Sequence, residues 1–227
     1  MTQSINMQHF NISEADLLET LSFIMPLPTP MQNRVKEESL IETFERKKIL
    51  LSPGETARRI YFIRSGFLRS YFIDEDGKEC TNWFCGKGDL MTSASSFFTQ
   101  QPAREYIEVL QDCKLQSLTW LELNAYYADF KEGNLLGRII IQKYYVLGEE
   151  RTILLRTQKP ESKYDLLLKN HPQIELQTTQ QNIASYLGIS RETLSRIRRK
   201  KLELCHLTQN QQKIDLKFQK DLYKKML

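Results

Sequence analysis

Apolar positions along the chain change rhythm twice. Between Ser13 and Ile24, Leu17, Leu18, Leu21 and Ile24 fall on one helical face, with Ser13 as the expected cap and the proline-bearing MPLPTP as the stop. From about Thr43 to Trp120 the spacing becomes short or alternating: ERKKILL, SPGE, RIYFI, RSG, FLRSYFI, DEDGK, ECTNWF. This pattern predicts a β domain. Asp76-Gly77 predicts a tight hairpin between FLRSYFI and ECTNWF, and Gly54 and Gly66 mark two further turns. Many short strands at near-regular spacing favour a sandwich or jelly roll. Helical spacing returns at Gly133 to Thr157, where Leu136, Ile140, Leu147 and Leu154 form a stripe broken by Lys143 and flanked by Ile139, Tyr144 and Ile153. That is more apolar surface than one stripe needs, so the helix is expected to pack on its own β domain with one face and on a second subunit with another. A purely intrachain core helix is the alternative. Pro160 ends this helix, and ESKYDLLLKNHP supplies another amphipathic one that leads on through QIELQTT.

The stretch QQNIASYLGISRETLSRIRRKK, Gln180 to Lys201, sets four arginines and two lysines beside apolar residues at helical spacing. Ile183, Ala184 and Leu187 precede Gly188, and Ile189, Leu194 and Ile197 follow it, which gives two helices with a break. Thr178 stands three residues before Gln181, a capping spacing, and Ser190 can cap the second helix. Gly188 suits a left-handed turn, and Ala184 is small enough for a close helix crossing. Together these describe a helix-turn-helix. With Leu194 and Ile197 inward, Arg191, Glu192, Ser195 and Arg196 point outward near the N-terminal end of the second helix. An arginine fork matches guanine O6 and N7, and glutamate accepts from cytosine N4, so these are candidate base readers. Arg198, Arg199, Lys200 and Lys201 follow as candidate phosphate contacts. A helical hairpin with a merely solvated basic face is the bland alternative.

Charge distribution supports the first reading. From Thr178 onward there are eleven Lys/Arg against four Asp/Glu, a net +7, which leaves −3 for the rest of a chain whose total is +4. Such asymmetry suits a C-terminal domain that meets a polyanion, with salt-dependent binding. With 227 residues, two modest domains are expected. No segment approaches the ~18 consecutive apolar residues of a membrane span, and no basic segment leads into an apolar run at the N-terminus, so a soluble cytoplasmic protein without membrane contact is expected. Cys80, Cys85, Cys113 and Cys205 form no CxxC pair, and His9, His171 and His206 are dispersed. Neither a metal site nor an iron–sulfur cluster is therefore expected. A metal-dependent enzyme built on a β roll would need converging histidines. None lies between His9 and His171, so the expectation is not an enzyme.

The segment Gly88 to Leu110, GDLMTSASSFFTQQPAREYIEVL, interrupts the strands with small and polar residues and predicts a short helix and loop before the strand REYIEVL. Backbone N–H groups there, with a nearby arginine, could hold an anionic phosphate. A surface loop over the barrel mouth is the equal alternative.

A β domain, a long central helix and a C-terminal helix-turn-helix in this order resemble the CRP/FNR superfamily of bacterial transcription regulators. GISRETLSRI, Gly188 to Ile197, is very similar to that family's reading helix, and the RSG turn, the DEDGKE hairpin and GDL are supporting marks over roughly Lys47 to Lys200. The resemblance implies an α+β chain: a β jelly-roll sensor domain, cyclic-nucleotide-binding-like, over 1–132, a dimerisation helix over 133–158, and a helix-turn-helix domain over 159–227. It implies a homodimer on palindromic double-stranded DNA, with Arg191, Glu192 and Arg196 on bases, Ser195 joining them, Thr179 and Ser190 on phosphates, and a half-site related to TGTGA. RNA polymerase and a small-molecule effector are further implied partners. Its ligand set would be Gly88, Asp89, Leu90, Ser95, Ser96 and Arg104. A cyclic-nucleotide-responsive regulator acting through this pocket is the alternative reading. Arg104 lacks the following hydroxyl of cyclic-nucleotide-binding members, and Asp89 is one carbon shorter than their glutamate, which argues against cyclic AMP. No glycine follows Lys201, so a standard β wing is not expected.

Overall fold

The computed structural model describes residues 15–203. Helix α1, Leu17–Ile24, is capped by Asp16, whose Oδ1 accepts from the Glu19 N–H at 3.1 Å. The expected cap, Ser13, lies outside the described residues. The prolines after α1 stop it as expected, but they also open a second helix that the pattern did not predict. In α2, Thr29–Glu38, Pro30 sits in the first turn, where a missing N–H costs nothing.

Strands β1 (Leu40–Phe44), β2 (Ile49–Leu51), β3 (Arg59–Ile73), β4 (Glu79–Gly86), β5 (Leu90–Met91) and β6 (Tyr106–Thr119) form one antiparallel sheet. Its order is β1-β6-β3-β4, with β2 paired to β6 and β5 to β3. The hairpin at Asp76-Gly77 forms as expected. Asp74 N–H donates to Lys78 O at 2.9 Å, and Gly77 takes φ of 77°.

Gly66 corrects one expectation. RIYFI and FLRSYFI are not two strands joined by a turn; they are one strand, β3, with register shifts on either side of Gly66. The reason is a close approach combined with a change of face. A Cβ at Gly66 would stand 2.4 Å from Cys113 Sγ and 2.6 Å from Asp112 O, and the residue has φ of 101°. Strand side chains alternate, so an inserted residue flips the faces. Before Gly66 it is Ile63 that enters the roll and Phe62 that faces out; after it, Leu68 enters and Phe67 faces out.

One sheet thus serves three cores. Ile63, Leu68, Phe97, Ile107, Val109 and Leu115 fill the roll. Phe62 and Leu118 pack outward on α1 and α2 with Leu17, Met31 and Val35. Phe67, Phe84 and Leu110 pack on the C-terminal helices.

Helix α3, Ala94–Thr99, is the short helix expected in the interrupting segment. Strand β6 runs directly into α4, Trp120–Asp129, which the pattern did not predict although Thr119 and Glu122 form a reciprocal capping box. Helix α5, Lys131–Thr157, is the expected long helix, begun two residues early. Of its stripe, Leu136 is buried against the chain's own domain and Ile140, Leu147 and Leu154 are half-buried, whereas Ile141, Tyr145, Val146, Ile153 and Leu155, elsewhere on the helix, are exposed. Pro160 opens α6, Pro160–Asn170, and QIELQTT contains a single helical turn, α7, Ile174–Gln177. The expectation about a wing falls outside the described residues.

Candidate nucleic-acid interface

Helix α8, Gln180–Leu187, is capped by Thr179 rather than Thr178: Thr179 Oγ1 accepts from the Asn182 N–H at 3.2 Å. Thr178 Oγ1 instead accepts from Asn182 Nδ2 at 2.9 Å. At its other end Gly188 adopts the left-handed conformation, φ 63° and ψ 39°, and Ile189 N–H returns to Ala184 O at 3.0 Å. Ser190 Oγ then accepts from the Thr193 N–H at 3.1 Å and starts α9, which occupies 191–203. Ile183, Ala184, Leu187, Leu194 and Ile197 are buried together with Tyr164, Leu167 and Ile174, so both helices are held by one small core.

That packing decides which side chains face out. Arg191, Glu192, Ser195 and Arg196 are all exposed on the N-terminal half of α9. The Glu192 carboxyl is held below the usual carboxylate range by its own backbone N–H and by the Ser190 hydroxyl, with help from Arg191, so it remains an acceptor at neutral pH. Farther along, Arg198 Nε pairs with Glu175 Oε1 at 2.6 Å, and Lys201 pairs with Asp165. Arg199 stands 4.0 Å from Glu203, and Lys200 is exposed. Arg198 and Lys201 therefore tie α9 to α7 and α6, while Arg199 and Lys200 face solvent.

The reader is docked on the roll through the outer edge of the sheet. An edge strand leaves N–H and C=O groups unpaired. Here Ser185 of α8 takes their place: its Oγ accepts from Thr81 N–H and donates to Glu79 O, each at 2.7 Å. Arg151 Nη2 of α5 donates to Tyr186 O at 3.0 Å and to Thr81 O at 3.3 Å, and its guanidinium lies 3.7 Å from the Tyr186 ring centre. Arg69, almost fully buried on β3, reaches Asn182 Oδ1 at 2.9 Å, Glu108 Oε2 at 2.7 Å and Glu79 Oε2 at 2.5 Å.

The six residues of the expected ligand set are placed differently. Gly88, φ 85°, and Asp89 form a turn in which Asp89 Oδ2 accepts from Gly86 N–H at 3.0 Å. Leu90 N–H donates to Tyr144 Oη at 2.8 Å. Ser96 is buried, accepting from Ala57 N–H at 2.9 Å and donating to Gln101 O at 2.5 Å. Ser95 and Arg104 are exposed. Sequence reasoning missed Arg69, Arg151, Ser185 and Asn182. The only local signal was an arginine in an otherwise apolar-facing strand and a polar residue on each side of Ile183-Ala184.

Among the described residues no group of three His, Cys, Asp or Glu side chains is placed to hold a metal ion. No helix among them is long and apolar enough to cross a membrane.

Two family models match in succession. The Cyclic nucleotide-binding domain matches residues 41–129 and the Crp-like helix-turn-helix domain matches residues 152–219. The chain belongs to the CRP/FNR family. This family of transcription regulators also supplies curated relatives. The Fumarate and nitrate reduction regulatory protein of Yersinia pestis is 27% identical over 185 residues, covering 73% of this chain and 72% of that one. The cAMP-activated global transcriptional regulator CRP of Escherichia coli O6:H1 is 24% identical over 183 residues, covering 69% and 80%. Among solved structures, FixK2 from Bradyrhizobium japonicum aligns with a TM-score of 0.63 at 19% identity, covering 75% of this chain and 85% of that one. The c-di-GMP-responsive global regulator CLP of Xanthomonas campestris aligns with a TM-score of 0.62 at 17% identity, covering 79% and 94%. These structures share the CRP/FNR fold: a sheet-rich N-terminal domain, a long helix and a helix-turn-helix.

Proposed function

We propose that this CRP/FNR-family member is a cytoplasmic homodimer that binds a palindromic duplex and sets two α9 helices in successive major grooves. The observation that carries the reading is the exposed Arg191–Glu192–Ser195–Arg196 face above buried Leu194 and Ile197. In this reading Arg191, Glu192 and Arg196 contact base edges with Ser195 beside them. Thr179, Ser190, Arg199 and Lys200 contact phosphates, and Arg198 joins them by exchanging Glu175 for the backbone.

Pairing is assigned to the free side of α5. Ile141, Tyr145, Gly148, Thr152 and Leu155 follow one another at steps of four and three residues, the spacing of a coiled-coil seam. A Cβ at Gly148 would meet nothing within 4 Å, which leaves room for a close partner helix. RNA polymerase is the partner through which such a dimer would act on transcription.

Selection of bound sequences from a random duplex pool tests this reading, with and without cyclic AMP and cyclic GMP. The expected result is a palindrome with half-sites related to TGTGA, enriched equally with and without nucleotide. Recovery of no preferred sequence would reject it. Enrichment only with a cyclic nucleotide would favour the alternative, a regulator that responds through Gly88, Asp89, Leu90, Ser95, Ser96 and Arg104. Independence from these nucleotides is favoured because Asp89 and Ser96 are already engaged by backbone groups and Arg104 faces solvent.

A further inference from the structure

A cavity of about 100 Å3 lies on the outer side of the sheet, among α1, α2, α4 and α5. Leu17, Met31, Phe62, Leu118 and Leu136 are among its walls, and no residue that lines it carries a charge. Protein interiors are packed about as densely as organic crystals, so a void of this size forfeits contacts that an occupant would restore. The cavity is bounded by close helix packing and not by loops. A Cβ at Gly137 of α5 would stand 2.6 Å from the Tyr127 ring of α4, and one at Gly133 would stand 2.5 Å from Tyr126 O.

One amide reaches this apolar wall. Gln116 is only 5% exposed, and its Nε2 donates to Ser39 Oγ at 2.7 Å. Ser39 Oγ gives its own proton to Val35 O at 2.6 Å, so towards Gln116 it can only accept. This fixes the orientation of the amide and leaves Oε1 as its free end. That oxygen is buried and has no hydrogen-bond partner. Buried polar atoms are nearly always paired, so the unpartnered oxygen of a residue that lines the cavity calls for a donor.

We propose that this cavity binds a compact, uncharged molecule with a ring-sized apolar body and one hydroxyl or N–H group, which donates to Gln116 Oε1. Size fits the class: an apolar cavity of roughly 150 Å3 takes up benzene. Here the volume is smaller, but the cavity is not closed: Phe98 and Ile141 of its lining are 46% and 47% exposed in the single chain, and Ile141 lies on the face of α5 assigned above to pairing. Wall chemistry excludes a charged occupant, because an anion among uncharged side chains would lose its hydration without compensation. A cyclic nucleotide therefore does not belong in this cavity.

The location also gives the occupant a route to the reader. Leu136, Gly137 and Ile140 of the wall belong to α5, and the same helix carries Arg151, which holds Tyr186 of α8. Filling the cavity shifts the seating of α5 on the sheet and with it the placement of α9. This last step rests on the DNA-binding reading; binding itself does not.

Indole and benzofuran are the probes, since they share a shape but only indole has an N–H. Calorimetry and thermal unfolding of the full chain should show indole binding about fivefold to tenfold more tightly than benzofuran, the worth of one hydrogen bond to a buried neutral acceptor. Gln116→Leu should bind both probes equally. Leu21→Phe, which fills the cavity from α1, should bind neither. Should that variant fail to fold, the loss of preference in Gln116→Leu still carries the test. The proposal is overturned if indole does not bind up to its solubility, if the parent binds both probes equally, or if Leu21→Phe binds like the parent. Duplex binding measured in parallel separates the two readings. Duplex bound without indole rejects the cavity alone, and indole bound by a chain that ignores duplexes rejects the DNA reading alone.

Discussion

Arg69 of the β roll donates to Asn182 of the helix-turn-helix across 2.9 Å, joining residues 113 positions apart. The guanidinium is buried and also engages Glu79, Glu108 and Thr81. Two carboxylates thus face one cation, and Asn182 supplies a neutral acceptor from the reader. The hairpin of β3 and β4 and the first helix of the reader therefore share one polar cluster.

Removing the cation should be costly to the fold. With Arg69→Met, Glu108 keeps a largely buried carboxylate without its partner, so stability should fall by about 3 to 5 kcal/mol. Urea unfolding measures this, and adding Glu108→Gln should recover part of the loss. Between Arg69→Met and Asn182→Leu a double-mutant cycle should give a coupling of about 1 to 3 kcal/mol; additive effects would mean that the two residues do not interact.

Gly66 and Gly188 both have positive φ, yet alanine should affect them unequally. At Gly188 the new methyl meets only Leu155 Cδ2, at 3.6 Å, so the cost is that of the backbone conformation, about 1 to 2 kcal/mol. At Gly66 the methyl also collides with Cys113 Sγ and Asp112 O. Gly66→Ala should therefore lower the unfolding midpoint clearly more than Gly188→Ala.

On duplex DNA, Arg196→Ala should weaken a selected site by ~1 to 3 kcal/mol and relax discrimination at one base pair. Lys200→Ala should weaken all sequences alike and lower the slope of log K against log salt by about one. Titrations at several salt concentrations distinguish these two behaviours.

If α5 pairs through its free seam, cysteine introduced at Tyr145 should crosslink two copies readily. Cysteine at Leu147, on the side turned to the chain's own domain, should crosslink far less. Equal yields at both positions would remove the assigned seam.

Acid should act on two local structures together. Asp74 is held below the usual carboxylate range mainly by the Lys78 backbone N–H, and Glu192 mainly by its own. A carboxylate lowered in the folded state stabilises fully above its unfolded value, and that contribution disappears as pH falls through the lowered one. NMR titration should therefore show both groups titrating below ordinary Asp and Glu values, with the hairpin and the start of α9 intact at neutral pH and weakened only in acid.

The helix-turn-helix was legible because its determinants are local. A cap, a left-handed glycine and apolar spacing lie within about twenty consecutive residues, and each acts on neighbours in the chain. The hairpin at Asp76-Gly77 was legible for the same reason. Gly66 was misread because turn and bulge use the same residue; what separates them is Cys113 on another strand. Helix α2 was hidden by prolines that stop one helix and begin the next. The stripe on α5 showed how much apolar surface the helix carries, but not which side its own domain would cover.

Rhythm and capping in the chain alone therefore determine where the elements lie and which side chains the reading helix can offer. Folding in three dimensions decided that Ser185 completes the edge of β4, that Arg69 meets Asn182, and that Gln116 Oε1 is left without a donor beside a cavity. Those outcomes depend on contacts between residues far apart in the chain, and desolvation and pairing of polar groups are settled only when the surfaces that bury them come together.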